Sequence, residues 1–347
     1  MGKRVRILCV AVFVIFTVFG CGACVWAQGI KMAASDWPVW QLVVGMNEQG
    51  SLGNFDLAYE KYAVTIDGFS KGKFDVTFMT IYDFIATQRD NPNGVIIAVQ
   101  DFSNGGDGIV LRPEMSSASS LKGRAIGLPT EAVSLYLMHM YLARNKMSLD
   151  DIKLVDIPGE FVSKAYVSNR ALSGIAGWNP NLSEAIAAGG KPVVTSADFP
   201  ENIFDCVVVN RESLQKDRAV YVQFLKDWFK AVNDPLVTQA AARKLNVTVT
   251  DLQSWLGDAN IYRDAGGSLA MFGRLKTVAS EIQSFYSVKP VSITGGASGI
   301  FGIKPLDIDS LFDDSLLKEI VPAPAGLITV PVTQGAGKLP QGNESTQ

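Results

Sequence analysis

Histidine is nearly missing from this chain: His139 is the single one in 347 residues. Cysteine is scarce, and Cys9, Cys21 and Cys24 fall within the N-terminal segment, leaving Cys206 alone in the body. A lone cysteine forms no internal disulfide. Cys206-Val207-Val208-Val209 reads as a buried strand in which the thiol is a small core group. Without histidine and cysteine clusters, the chain has no spacing for a transition-metal site. His139 lies within Leu137-Met138-His139-Met140 on a helical stretch, with no nucleophile nearby in sequence to activate. No Walker loop and no dinucleotide glycine fingerprint occurs at a strand-to-helix junction. Gly123-x-x-x-Gly127 reads as a turn glycine and a strand glycine. We therefore expect no catalytic residue, metal or cofactor.

Positive charge is also in deficit, with 31 Lys and Arg against 34 Asp and Glu. Long hydrophobic runs are absent too. The apolar stretch Ile7 to Phe19 is shorter than the ~20 residues of a membrane span. Preceded by Lys3, Arg4 and Arg6, it has the basic-then-apolar order of a secretory signal. Val25-Trp26-Ala27 fits cleavage after Ala27, so residues 1–27 are expected to be removed. Lipidation at Cys21 is the competing reading and would tether the protein to a membrane. Both readings put the body outside the cytoplasm, in the periplasm or its equivalent. Loss of the three basic residues takes the net charge from −3 to −6. That argues against nucleic acid, which needs clustered positive charge.

What remains is large for one core and suggests two lobes. Short apolar strands alternate with helical patterns: Ile30–Ser35, Asp75–Met79, Val95–Val99, Ala125–Leu128 and Gly174–Ala176 read as strands. Such alternation predicts an α/β fold with mostly parallel sheet. Longer helical patterns cover 213–233, 236–244, 250–256, 268–290 and about 308–320. Two passages between units are expected near 108–112 and 205–210. They divide the chain into lobe 1 (28–109 and 208–320, discontinuous), lobe 2 (110–207) and a flexible tail (321–347).

Several modest motifs recur in order: Asp36-Trp37-Pro38-Val39-Trp40, Gly72-Lys73-Phe74-Asp75, Asp101-Phe102-Ser103-Asn104-Gly105-Gly106-Asp107, Leu121-Lys122-Gly123, Gly177-Trp178-Asn179-Pro180 and Thr195-Ser196-Ala197-Asp198. With Asp205 before a valine strand, they resemble substrate-binding proteins of the nitrate, sulfonate and taurine ABC importers, most closely the branch linked to urea-carboxylase gene sets. The resemblance covers roughly residues 30–235, and more loosely to about 315. It implies a two-lobed periplasmic-binding-protein fold of type II with a ligand cleft between lobes. It also implies delivery of a small molecule to a permease driven by a cytoplasmic ATPase, with nothing hydrolysed by the chain itself; we expect a monomer.

The residues suggest what such a cleft would hold. Asp36, after the first strand, can accept hydrogen bonds from an amine, amidine or urea-like group. Trp37 and Trp40 can wall it and attract a cation; Pro38 suits the first turn of a helix there. Thr80 and Tyr82 stand at a strand end, where open α/β sheets bind ligands. Asp107 follows a glycine-rich turn. Thr130, Glu131 and Ser134 occupy a strand-to-helix junction. Trp178 and Asn179 form the opposing jaw, and Asp205 stands beside the second passage. For each of these a packing or capping role is the competing reading. Carboxylates at 36, 107, 131 and 205 favour a compact cationic or nitrogen-rich planar ligand over nitrate or a sulfonate. An enzyme or a sensory module on the same scaffold, and an anion receptor, remain alternatives.

Overall fold

The computed structural model describes residues 29–88, 90–115, 117–287, 293–294 and 304–321. The expected export segment 1–27, with Cys21, lies outside them, as does the expected tail apart from Val321.

The chain first lays down β1 (Ile30–Ala34), β2 (Phe55–Tyr59), β3 (Val76–Thr80) and β4 (Gly94–Ser103). It then builds β5 (Asp107–Leu111), β6 (Ala125–Leu128), β7 (Lys153–Asp156), β8 (Leu172–Trp178) and β9 (Lys191–Thr195). It ends with β10 (Phe204–Asn210), β11 (Ala259–Ile261) and β12 (Ile293–Thr294). Two six-stranded sheets result, ordered β11-β4-β10-β3-β1-β2 and β12-β7-β6-β8-β5-β9. Their inner strands are nearly continuous apolar runs: every residue of β3, β5 and β8 is buried. This is the pattern of sheets covered by helices on both faces.

The two sheets share one plan. In the first, β1 pairs in parallel with β2 and β3, while β10 runs antiparallel between β3 and β4. In the second, β6 pairs in parallel with β7 and β8, while β5 runs antiparallel between β8 and β9. β10 and β5 are each the strand that has just arrived from the other lobe; β11, at the edge of the first sheet, also runs antiparallel to β4.

Strand pairing changes sheets across 104–106 and again across 196–203. The sequence reading set these passages a few residues later, at 109/110 and 207/208. All of β5 pairs in the second sheet and all of β10 in the first, because each strand begins as soon as it has crossed. Gly105 adopts φ +122°, open in practice only to glycine. The two passages touch: the Ser103 and Ser196 hydroxyls lie 2.8 Å apart, and the Gly105 N–H donates to Ser196 Oγ at 2.7 Å.

Within the span assigned to lobe 1, β12 pairs in parallel with β7 of the second sheet. The chain then returns, and Phe312 bridges to Ile96 in β4. The helix expected over 268–290 is two, Ala265–Ala270 and Phe272–Tyr286. That expected over 308–320 is a 3-10 turn, Ile308–Leu311, followed by a helix, Ser315–Ile320. Phe312 is drawn into extended geometry by its bridge, which interrupts the helix. Among the described residues no helix is long and apolar enough to cross a membrane.

Candidate ligand-binding site

The lobes enclose a cavity of ≈ 530 Å³, with a recess of ≈ 20 Å³ behind it. Asp36, Tyr62 and Trp178 line both. The volume suits a small-molecule site, typically about 300–1,000 Å³; the recess has room for about one water.

Asp36 stands where β1 gives way to helix Gln41–Glu48. Its carboxylate does not cap that helix, which has no side-chain cap. Its backbone carbonyl accepts from Gln41 Nε2 at 2.7 Å. Asp36 lines the cavity. Burial pushes its pKa up, while a hydrogen bond from the Trp178 side chain pulls the other way.

Trp37 and Trp40 lie on the turn that starts the helix, with ring centroids 6.3 Å apart, and both line the recess. Their indole N–H groups are buried without hydrogen-bond partners. Tyr62, which the sequence reading missed, links the two spaces. Its ring lies 5.1 Å from Trp40 and 5.8 Å edge-on from Trp178, centroid to centroid.

Tyr62 Oη donates to Asp83 Oδ2 at 2.5 Å, and Thr80 Oγ1 donates to the same oxygen at 2.7 Å. Thr80 also caps helix Ile81–Thr87, accepting from the Asp83 N–H. Asp83 thus has an architectural role and a second one. Its Oδ1 is buried with no completed hydrogen bond, although Asp83 lines the main cavity. Burial raises its pKa to about 7, against the pull of Tyr62, Thr80 and the Val133 N–H of the second lobe.

Asp107 and Asp205 line the recess, and Asp205 stands opposite Asp101 across the β4–β10 ladder. Burial raises Asp107 to about 7. It also raises Asp101 and Asp205, and repulsion from Asp101 adds to the rise at Asp205. Neither Asp101 oxygen completes a hydrogen bond. Asp101 belongs to the motif noted in the sequence, but nothing there marked it as inward-facing.

The other expected residues divide. Trp178 lies over Gly159, where a Cβ would come within 2.3 Å of the ring. Thr130 and Glu131 line the main cavity; Thr130 donates through its N–H and Oγ1 to Asp156 Oδ1. Three residues do not line either space. Tyr82 instead packs among Tyr136, Phe285 and Tyr286, because two residues after Thr80 the helix has turned it away from the cavity. Ser134 is fully buried in the second lobe's helix Val133–Arg144. Asn179 is used up: its Nδ2 donates to Asp258 Oδ2 at 2.7 Å, and its Oδ1 accepts from Ser183.

The lobes are held together at several points. Asn179–Asp258 is one, the Tyr62–Trp178 ring pair another, and Lys61 Nζ to Glu160 Oε1 at 2.7 Å a third. His139 lies in the same aromatic packing as Tyr82, 4.7 Å from Phe285, and burial lowers its pKa. Cys206 is buried, as expected. Among the described residues no three His, Cys, Asp or Glu converge to hold a metal ion.

This fold, two lobes with repeated strand order and a cleft at the passages, is the periplasmic-binding-protein fold of type II. Solved structures share it. The alkanesulfonate-binding protein SsuA of Xanthomonas axonopodis pv. citri superposes with TM-score 0.62 and 10% identity, over 75% of this chain and 92% of that one. The nitrate-binding protein NrtA of Synechocystis PCC 6803 gives 0.64 and 13%, over 84% and 88%. A desulfurization enzyme, DSZB, gives 0.56 and 15%, over 83% and 98%. No protein-family model matches the sequence, and no curated protein matches it.

Proposed function

We propose that the protein is an extracytoplasmic solute receptor for an ABC importer, and that its solute is a cation or a nitrogen-rich group that can donate several N–H bonds. The observation that carries this reading is the charge of the interlobe cavity. Its lining includes Asp36, Glu60, Asp83, Glu131 and Asp156, and Lys61 is its one basic residue among those described. Lys61 is already engaged by Glu160. A nitrate or sulfonate would enter such a lining against strong repulsion. A cation would relieve the burial cost of Asp36 and Asp83 and meet the faces of Tyr62 and Trp178.

Under this reading, ligand held between the lobes favours the closed form, and a permease with a cytoplasmic ATPase recognises that form. Export by the 1–27 segment, with or without a Cys21 tether, places the receptor where such a solute arrives. The binding proteins that share the fold support the receptor role by analogy. The acidic cavity argues for a ligand unlike the alkanesulfonate and nitrate named for those two.

An enzyme on the same scaffold is the second reading, favoured by the likeness to DSZB and by carboxyls raised to about 7, the range of acid–base catalysts. Calorimetric titration with guanidinium, urea derivatives, small amines, nitrate and alkyl sulfonates tests the ligand. Recovery of the bound compound and its mass spectrum test the role. Saturable binding of an N–H-rich compound, returned unchanged, supports the receptor. Binding of nitrate or sulfonate alone would overturn the ligand reading, and turnover would overturn the receptor.

A further inference from the structure

Resting on the proposed cation site, we infer that the ligand is an elongated dication, with a cationic group at each end of a hydrocarbon chain, rather than a compact planar ion. The shape of the cavity is the first reason. It runs along one face of helix Tyr62–Ser70, which contributes Tyr62, Ala63, Ile66, Asp67 and Ser70 to its wall. From Tyr62 to Ser70 is eight residues of helical rise, about 12 Å. Helix Ile81–Thr87 runs beside it and contributes Asp83, Ala86 and Thr87, with Asp90 just beyond its end. A compact ion seated on Asp36 and Asp83 would leave most of this trough empty.

The order of chemistry along the trough is the second reason. At the inner end stand Asp36 and Asp83, closed by the rings of Tyr62 and Trp178. Along the two helices the wall then includes Ala63, Ile66 and Ala86, suited to methylene groups, while the facing lobe mixes Pro129, Ala132 and Pro158 with Glu131 and Asp156. Beyond them, five residues of helical rise or about 7.5 Å from Tyr62, comes Asp67, with Ser70 and Thr87 also in the lining. Acid, apolar, acid along the two helices is the complement of an α,ω-diamine or an aminoalkyl guanidine.

The inner anchor does not rest on acidity alone. Asp83 is fully buried in the cavity wall, where Tyr62 and Thr80 both donate to Oδ2 and the Val133 N–H of the second lobe also favours its charged form. A carboxylate fixed in this way in a desolvated wall is stabilised by a cation beside it. The outer anchor is exchangeable. Asp67 is held by Lys71 at 2.7 Å, with both side chains mostly exposed, and such pairs contribute little. A ligand ammonium can replace Lys71 there at small cost.

Calorimetry on the full chain separates this inference from the reading beneath it. Ethylenediamine, hexamethylenediamine, hexylamine and guanidinium are the probes. Hexamethylenediamine should bind roughly tenfold or more tighter than hexylamine, from one added charged contact, and tighter than ethylenediamine, which is too short to reach both ends. Asp67→Asn should narrow the gap between hexamethylenediamine and hexylamine. Equal affinity for those two, or guanidinium binding tightest, would overturn the elongated dication and leave the cation site standing. Binding of nitrate or an alkyl sulfonate in place of every amine would overturn both.

Discussion

The first lobe brings Asp36, Tyr62 and Asp83 to the cleft, with Trp37, Trp40, Asp101 and Asp205 behind them. Most of these are buried, and several carry polar atoms with no partner. The second lobe brings Trp178, Thr130, Glu131 and Asp156. Thr130 and Asp156 bond each other, and Glu131 is exposed. Unmet hydrogen-bonding demand is thus concentrated on one side. The first lobe has the groups to hold a ligand, and the second supplies mainly a ring and a cover. Two sheets with one strand plan have been given different tasks by the side chains at their edges.

The sharpest break of this comparison is to disarm the first lobe. Asp36→Ala or Asp83→Asn should lower affinity for the best cation by roughly a hundredfold or more, as for other desolvated charge contacts. Calorimetry on variants with unchanged circular dichroism measures it, and a loss below threefold in both would end the asymmetry argument. Trp178→Ala, in the second lobe, should cost less, roughly tenfold, as a ring contact plus cation–π attraction. If it costs more than Asp36→Ala, the cover is the true anchor.

A third effect tests by pH the buried carboxyls that both lobes bring to the cleft. Asp83 and Asp107 have folded pKa values of about 7, well above the ~4 of an unfolded aspartate. Their contribution to stability is full below ~4 and is lost as pH rises through about 7. The unliganded protein should therefore melt several degrees lower at pH 8 than at pH 5, and a saturating cation should flatten that fall. A melting temperature that rises between pH 5 and pH 8 would count against buried, unpaired carboxyls. The smallest effect concerns closure. Asn179→Ala removes the bond to Asp258 and should weaken binding by a few-fold, mostly through faster dissociation in stopped-flow.

The scaffold was legible in the sequence because it is written in local runs. β-branched clusters such as Val95 to Val99 and Cys206 to Val209, and the turns between them, each declare a strand without reference to distant residues. The passages were placed a few residues late because a strand's sheet is decided by its partner, which no local pattern reveals. At the site, Asp36, Trp37, Trp40 and Trp178 were readable from their position at strand ends. Tyr62 was missed: it opens an ordinary helix, and only the fold sets it between Trp40 and Trp178. Asp83 looked like an early-helix charge, which it is, and only the fold shows that it also lines the cavity. Tyr82 and Asn179 had suitable chemistry but face other neighbours. Helix phase turns Tyr82 away, and Asp258, 79 residues distant in sequence, claims Asn179.

Of the five described tryptophans, Trp37, Trp40 and Trp178 surround the inner recess, whereas Trp228 is sealed in the first lobe's core against Phe78. The cleft therefore carries its own optical reporter. Filling the cavity, or parting the lobes, changes the polarity around three indoles at once, while Trp228 supplies a constant background. Unlabelled protein should thus announce both occupancy and closure in the colour of its own emission.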